Sequence, residues 1–232
     1  MTAIGTSYNG FASVGDPHLH REDGAHYDSM VAGKNTLLES TDSDNPFKLQ
    51  TDQGAVPGYN GIFNRAVAMK VGAAGDNHVI SMDVRSGKFI IDNMQTELPG
   101  LSPITLSDGT VISRTSGNAI RIATSQGDVV NITVQTMPNG QRYLDVIGEL
   151  SPTRENDSVR GALGAFDDDA DWQNDIYLSS GTQLTATDLN LPGWLAMFQQ
   201  SWHQDAMEDD LFAQNTANSA AIKKPALIGA KR

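Results

Sequence analysis

Two clusters of residues, one near each end of the chain, have types and spacings suited to chemistry. Near the start, Gly15-Asp16-Pro17-His18 is followed by Asp23-Gly24 and Tyr27. An Asp-Pro peptide is labile because the Asp carboxylate can reach its own main-chain carbonyl carbon and close a five-membered anhydride. The intramolecular nucleophile acts at a large effective concentration. The leaving group is the proline nitrogen, which takes up a proton more readily than an ordinary amide nitrogen. A proton donor and a group polarising the carbonyl complete the requirement. His18 is adjacent and suits the donor role, with His20 and His26 close behind. Asp16, Pro17 and His18 are therefore the candidates for self-cleavage; the bland alternative is an ordinary Asp-Pro turn.

The second cluster is Gly161-Ala162-Leu163-Gly164-Ala165-Phe166-Asp167-Asp168-Asp169, running on to Asn174-Asp175. Side-chain oxygens recur at alternate positions from Asp167 to Asp175, as at the start of an EF-hand loop. The match fails where Trp172 replaces the turn glycine and Leu178 the bidentate glutamate. The stretch is an acidic cation loop of another kind, or a solvated acidic segment. Oxygen donors of this density suit Ca2+ better than Mg2+, which keeps its waters.

The elements that must position these clusters read as mainly β. Short β-rich runs at Ala66–Val71, His78–Val84, Lys88–Asn93, Thr110–Arg114, Ala119–Thr124, Val129–Thr136 and Arg142–Ile147 are separated by Gly-, Asn- and Asp-rich turns. Earlier strands are expected at Thr36–Ser40 and Phe47–Thr51. Alternation such as Ile80, Met82 and Val84 against Ser81 and Asp83 marks strands with one wet face. The expectation is an antiparallel β-sandwich or meander with a short C-terminal helix over 191–202. Residues 1–13 read as an N-terminal extension, 14–212 as one β domain, and 213–232 as a flexible tail. Met69, Met82 and Met94 and the three tryptophans read as core, His78 and His203 as incidental surface or boundary residues, and Asp205–Asp210 as a solvated helix end.

Composition narrows the function classes. The formal charge of −12 argues against a nucleic-acid groove and an anionic membrane surface. Most of the excess acid lies between residues 151 and 215, where only Arg154 and Arg160 oppose it; a bound cation would relieve that repulsion. Without cysteine, disulfides, zinc-thiolate sites and thiol nucleophiles are excluded. No apolar run approaches the roughly 20 residues of a membrane span, and Met1–Val14 lacks the basic start and apolar core of a secretory signal peptide.

The order of the two motifs, with β-meander between them, resembles the von Willebrand factor type D domain. Gly15-Asp16-Pro17-His18, Asp23-Gly24 and Tyr27 are similar to that family's opening motif. Gly161, Gly164, Phe166, Asp167 and Asp169 are similar to its closing motif, Asn174-Asp175 to its acidic pair, and Phe198 and Trp202 to its final aromatics. The resemblance spans about residues 14–203. Leu163 stands in place of a family cysteine, Ala165 in place of an asparagine and Glu22 in place of an aromatic, so this would be a cysteine-free, bacterial-type relative with an altered ligand set in which Asp168 or Asp171 compensates. The resemblance implies a Ca2+ held by Asp23, Asp167, Asp169, Asn174 and Asp175, close to Asp16-Pro17. It also implies cleavage between Asp16 and Pro17, as in the related metal-ion-inducible autocleavage domains, which Leu106-Ser107-Asp108-Gly109-Thr110 also resembles.

Three functions follow as expectations. The first is an extracellular or cell-surface domain that binds calcium and cuts itself, an intramolecular event and not a turnover reaction. Its anhydride would be opened by water or captured by an amine of another protein or surface, with Lys223, Lys224 and Lys231 as candidates within the chain. The second is a calcium-stabilised structural or adhesion module that does not cleave. The third, a glycan-binding or hydrolytic sandwich, lacks a recognisable pair of glutamates.

Overall fold

The structure, a computed structural model, describes residues 10–21, 24–29, 31–73, 75–98, 100, 102–152, 154, 158–166, 171–203 and 210–215 of the 232. Two antiparallel sheets enclose a main hydrophobic core, and Val56, Phe63 and Met137 form a second, smaller cluster. The first strands are β1 (Gly10–Val14), β2 (His18–Arg21) and β3 (His26–Asp28). The chain then crosses to the second sheet through β4 (Gly33–Ser40), β5 (Lys48–Ala55), β6 (Ile62–Ala73), β7 (Asp76–Asp83), β8 (Lys88–Ile91) and β9 (Met94–Thr96). It returns through β10 (Ile104–Thr105), β11 (Val111–Ser116), β12 (Ala119–Ala123), β13 (Val129–Thr136) and β14 (Arg142–Glu149), and β15 (Val159–Arg160) rejoins the second sheet. The sheet orders are β10-β11-β12-β13-β14-β1-β2-β3 and β15-β4-β5-β6-β7-β8-β9. This is a mainly β, sandwich-like architecture.

Alternation drives the packing. In β14, Leu144 and Val146 turn inward beside Ile132 of β13 and Ile122 of β12, and all four are buried. They face Leu49, Val67, Met69 and Ile80 of the other sheet across the same core. Removing a side chain such as Leu144 would leave a cavity costing about 2–5 kcal/mol.

Short helices follow the strands: α1 (Ala186–Leu189), α2 (Trp194–Ser201) and α3 (Leu211–Gln214). The Thr185 hydroxyl and the Asp188 carboxylate form a reciprocal capping box at α1. Helix α2 falls within the expected span, starting after Gly193. Phe198 and Trp202 bury against the core, and the Trp202 indole N–H donates to the Tyr177 carbonyl at 2.8 Å. Among the described residues no helix is long and apolar enough to cross a membrane.

The structure moves several expected boundaries. Residues 10–13 are not an extension: β1 lies between β14 and β2, with Phe11 and Ser13 buried. The packed body also runs past residue 212. The Asn215 side chain is buried, donating to the carbonyls of Val79 and Ile90 and to Ser81 Oγ and accepting from the Asn93 N–H. Asp210 is not a solvated helix end; it is buried, caps α3 at the Phe212 N–H and pairs with Lys34. Residues 205–209 and the tail lysines 223, 224 and 231 lie outside the described residues. The strand expected through Asn93 stops at Ile91, because Asp92 and Asn93 both adopt positive φ, at 50° and 64°. That pair makes a two-residue hairpin turn, as Asp and Asn tolerate the left-handed region better than other side chains. Met94, expected in the core, is 48% exposed beyond that turn.

Candidate functional site

The opening motif forms the turn between β1 and β2. The Gly15 N–H donates to Asp145 Oδ1 on β14 at 2.9 Å, and the Pro17 carbonyl accepts from the Ser29 N–H at 2.8 Å. Pro17 is buried, while Asp16 and His18 are exposed. Asp16 Oδ1 accepts the Ile62 N–H at the start of β6, at 2.8 Å. Gly61 makes that approach possible: it adopts φ +146°, and a Cβ there would stand 2.6 Å from Asp16 Oδ2. Any side chain at 61 would push the carboxylate out of its cradle. Beneath the turn, the buried Asn64 amide donates to Ser13 Oγ at 2.9 Å and to the carbonyls of Ser13 and Leu144. Asn64 also accepts from Gln53, which accepts from Ser29. A buried polar chain thus pins both ends of the turn to the second sheet, and each of its members gains a partner that offsets its desolvation.

His18 and Asp28 oppose one another in the β2–β3 pairing, and His18 Nδ1 lies 2.6 Å from Asp28 Oδ1. The Cδ2 edge of the same ring faces Gly15. His20 and His26 form the next outward pair, with their rings stacked at 5.2 Å between centroids.

The inward residues of that hairpin meet the closing motif. The Tyr27 hydroxyl donates to the Ala162 carbonyl, across 135 positions of sequence. Arg21 Nη2 reaches Asp175 Oδ2 at 2.6 Å, with both side chains only 1% exposed. The Arg21 guanidinium also lies 4.5 Å from the Phe166 ring centroid, and Phe166 packs edge-on against Phe11. Gly161 sits so close to β4 that a Cβ would meet the Leu37 carbonyl oxygen at 2.1 Å. This contact lets Ala162 and Leu163 donate their N–H groups to the carbonyls of Thr36 and Leu37.

The candidate calcium ligands therefore divide. Asp23, Asp167 and Asp169 lie outside the described residues. Asn174 is exposed, at the end of a 3-10 turn capped by the Asp171 side chain. Asp175 points inward, and its charge is balanced by Arg21. Among the described residues no three His, Asp or Glu side chains form a group able to hold a metal ion. The donor chemistry of the nominated set, carboxylate and amide oxygen only, fits a hard cation such as Ca2+.

The motifs alone did not mark Arg21, Asp28, Gly61, Ile62 or Asp145. Arg21 carried a readable signal: in His18-Leu19-His20-Arg21 it alternates onto the same face as Leu19, and a buried arginine demands an acid. Gly61-Ile62 carried none, because its role depends on strand register. Comparison with protein-family models and with curated proteins returned no match.

Proposed function

We propose that this chain is an extracellular or cell-surface β domain resembling the von Willebrand factor type D family, which binds Ca2+ and cuts its own Asp16–Pro17 bond. The observation that carries the reading is the presentation of Asp16. Its carboxylate is held in a cradle that only glycine at 61 permits, on an exposed turn pinned from below. The junction of the two motifs through Tyr27 and Arg21 supports it further, since it draws the flanks of the nominated ligand segments together. Asp23, Asp167, Asp169 and Asn174 would hold the ion. Asp175 would anchor their loop through Arg21. The bound cation would tie the first strands to the closing loop and polarise nearby oxygens.

The residues of the chain supply the covalent chemistry. An Asp16 carboxylate oxygen bonds to the Asp16 carbonyl carbon, the C–N bond to Pro17 breaks, and the proline nitrogen leaves with a proton. His18, the residue after Pro17, would give that proton. Water then opens the anhydride, so the net change is hydrolysis of one peptide bond; an amine in its place would form a new amide to a partner protein or surface.

The non-cleaving structural or adhesion module remains the second reading. It is favoured by one observation, the 2.6 Å contact in which Asp28 Oδ1 already engages His18 Nδ1. Denaturing mass spectrometry of the full chain in chelator and then in millimolar calcium separates the two. A fragment beginning at Pro17, absent in Asp16→Ala, is the expected result. An intact chain with a calcium-dependent rise in melting temperature would select the second reading, and no response to calcium would reject both.

A further inference from the structure

Away from both motifs, three polar side chains from three segments form one line of hydrogen bonds. His78 Nδ1 lies 2.6 Å from Asp92 Oδ2, and His78 Nε2 lies 2.9 Å from Ser107 Oγ. His78 belongs to β7, Asp92 to the β8–β9 turn, and Ser107 to the β10–β11 turn of the opposite sheet. The arrangement thus spans the two layers.

Each member is held for the part it would play. Asp92 Oδ1 accepts the Val79 N–H at 2.9 Å, and the Asp92 N–H returns to the Val79 carbonyl, so the carboxylate cannot swing away. Its Oδ2 places the proton of a neutral His78 on Nδ1 and leaves the Nε2 lone pair facing Ser107. The His78 side chain is 12% exposed, whereas Ser107 stands exposed on its turn, open to a reagent. Two further carboxylates approach: Asp76 Oδ1 lies 3.5 Å and Asp108 Oδ1 3.9 Å from Nε2. Asp108 is committed to the N–H and hydroxyl of Thr110. Asp76 Oδ1 also lies 2.9 Å from Ser107 Oγ and competes for the single hydroxyl proton, so transfer to His78 Nε2 requires the hydroxyl to turn away from Asp76.

We propose that Ser107, His78 and Asp92 form a nucleophile, base and orienting acid that take up acyl or phosphonyl groups from small activated esters. Ser107 Oγ bonds to the ester carbonyl carbon while its proton passes to His78 Nε2. The bond to the alcohol oxygen breaks, and that oxygen leaves with the proton from Nε2. Water repeats the sequence on the acyl-serine, returning the proton to Ser107 and releasing the acid. The sum is one ester and one water to one acid and one alcohol. The open turn suits small substrates carrying good leaving groups. This activity is independent of Asp16 and of calcium.

The full chain treated with an alkyl fluorophosphonate is expected to gain one adduct, mapped to Ser107 by peptide mass spectrometry and absent in Ser107→Ala. His78→Gln and Asp92→Asn are expected to slow labelling about 10²–10⁴-fold. Asp92→Asn keeps an oxygen for the Val79 N–H and a side chain tolerant of positive φ, so it preserves the turn if His78→Gln does not fold. Absence of a Ser107 adduct, or labelling of Asp92→Asn at the parent rate, would overturn the proposal.

Discussion

Two histidine–carboxylate pairs share the same 2.6 Å contact and differ in all that surrounds it. His18–Asp28 lies on the outer face of a hairpin, with side chains 50% and 60% exposed. His78–Asp92 is drawn in, at 12% and 37%, and its second ring nitrogen meets a serine hydroxyl. Water screens the first pair to at most about 1 kcal/mol; the second has less solvent to compete with. The conspicuous motif holds the plainer pair, and the pair whose second nitrogen meets a serine joins segments that no sequence pattern links to one another. A histidine's neighbours in space, more than its neighbours in sequence, decide what its ring can do.

The contrast can be broken or sharpened by substitution. The largest effect on stability is expected inside the motif region, at Asp175→Ala, which removes the carboxylate paired with the buried Arg21 guanidinium. A loss of about 3–5 kcal/mol by chemical denaturation is expected; a loss below about 1 kcal/mol would show that the junction of the two motifs does not depend on this pair. Gly61→Ala comes next, at about 1–3 kcal/mol from a backbone conformation unsuited to a side chain. With it, the proposed calcium-dependent cleavage at Asp16 should fall, and cleavage at the parent rate would exclude the cradle from the chemistry. The two acids facing the histidines give the most direct comparison. Asp28→Asn and Asp92→Asn should each shift stability by less than about 1 kcal/mol, yet only Asp92→Asn should slow fluorophosphonate labelling; equal labelling of the two variants would erase the distinction.

The smallest effect concerns Asp83. Burial alone would raise its carboxyl, but hydrogen bonds from the Arg85 side chain and backbone N–H outweigh burial and hold it below the ordinary aspartate value. Its contribution is therefore present above the unfolded-state value and is lost as pH falls through the lowered native one. The pair is partly exposed, so the difference in melting between parent and Asp83→Asn should correspond to less than about 1 kcal/mol at neutral pH. That difference should vanish in acid, and a difference that grew in acid would contradict the assignment.

Legibility followed the length of the pattern. Alternation over eight residues located β13 at Val129–Thr136, and turn chemistry separated its neighbours. Strands β9 and β10, of three and two residues, are too short to show a period. Strands β2 and β3 were hidden because the same residues read as a motif. Asp92-Asn93 was absorbed into a strand although two such residues side by side are turn formers, and with it went the carboxylate that orients His78. In the motif region, glycines and acids were readable by type. Register and crossing chains decided their partners, so Asp175 facing Arg21 and Asp16 facing Ile62 were not readable.

The place of β1 in its sheet has a consequence for what a cut would look like. Residues 10–14 are bonded on one side to β14 and on the other to β2. Scission after Asp16 would sever the loop of a hairpin while leaving both ladders of the inner strand in place. The product would be a nicked body of two polypeptides with the shape and native mass of the parent, gaining only the weight of one water. The piece before the cut would part from the rest on denaturation, so a size measurement on the folded protein would record no event at all.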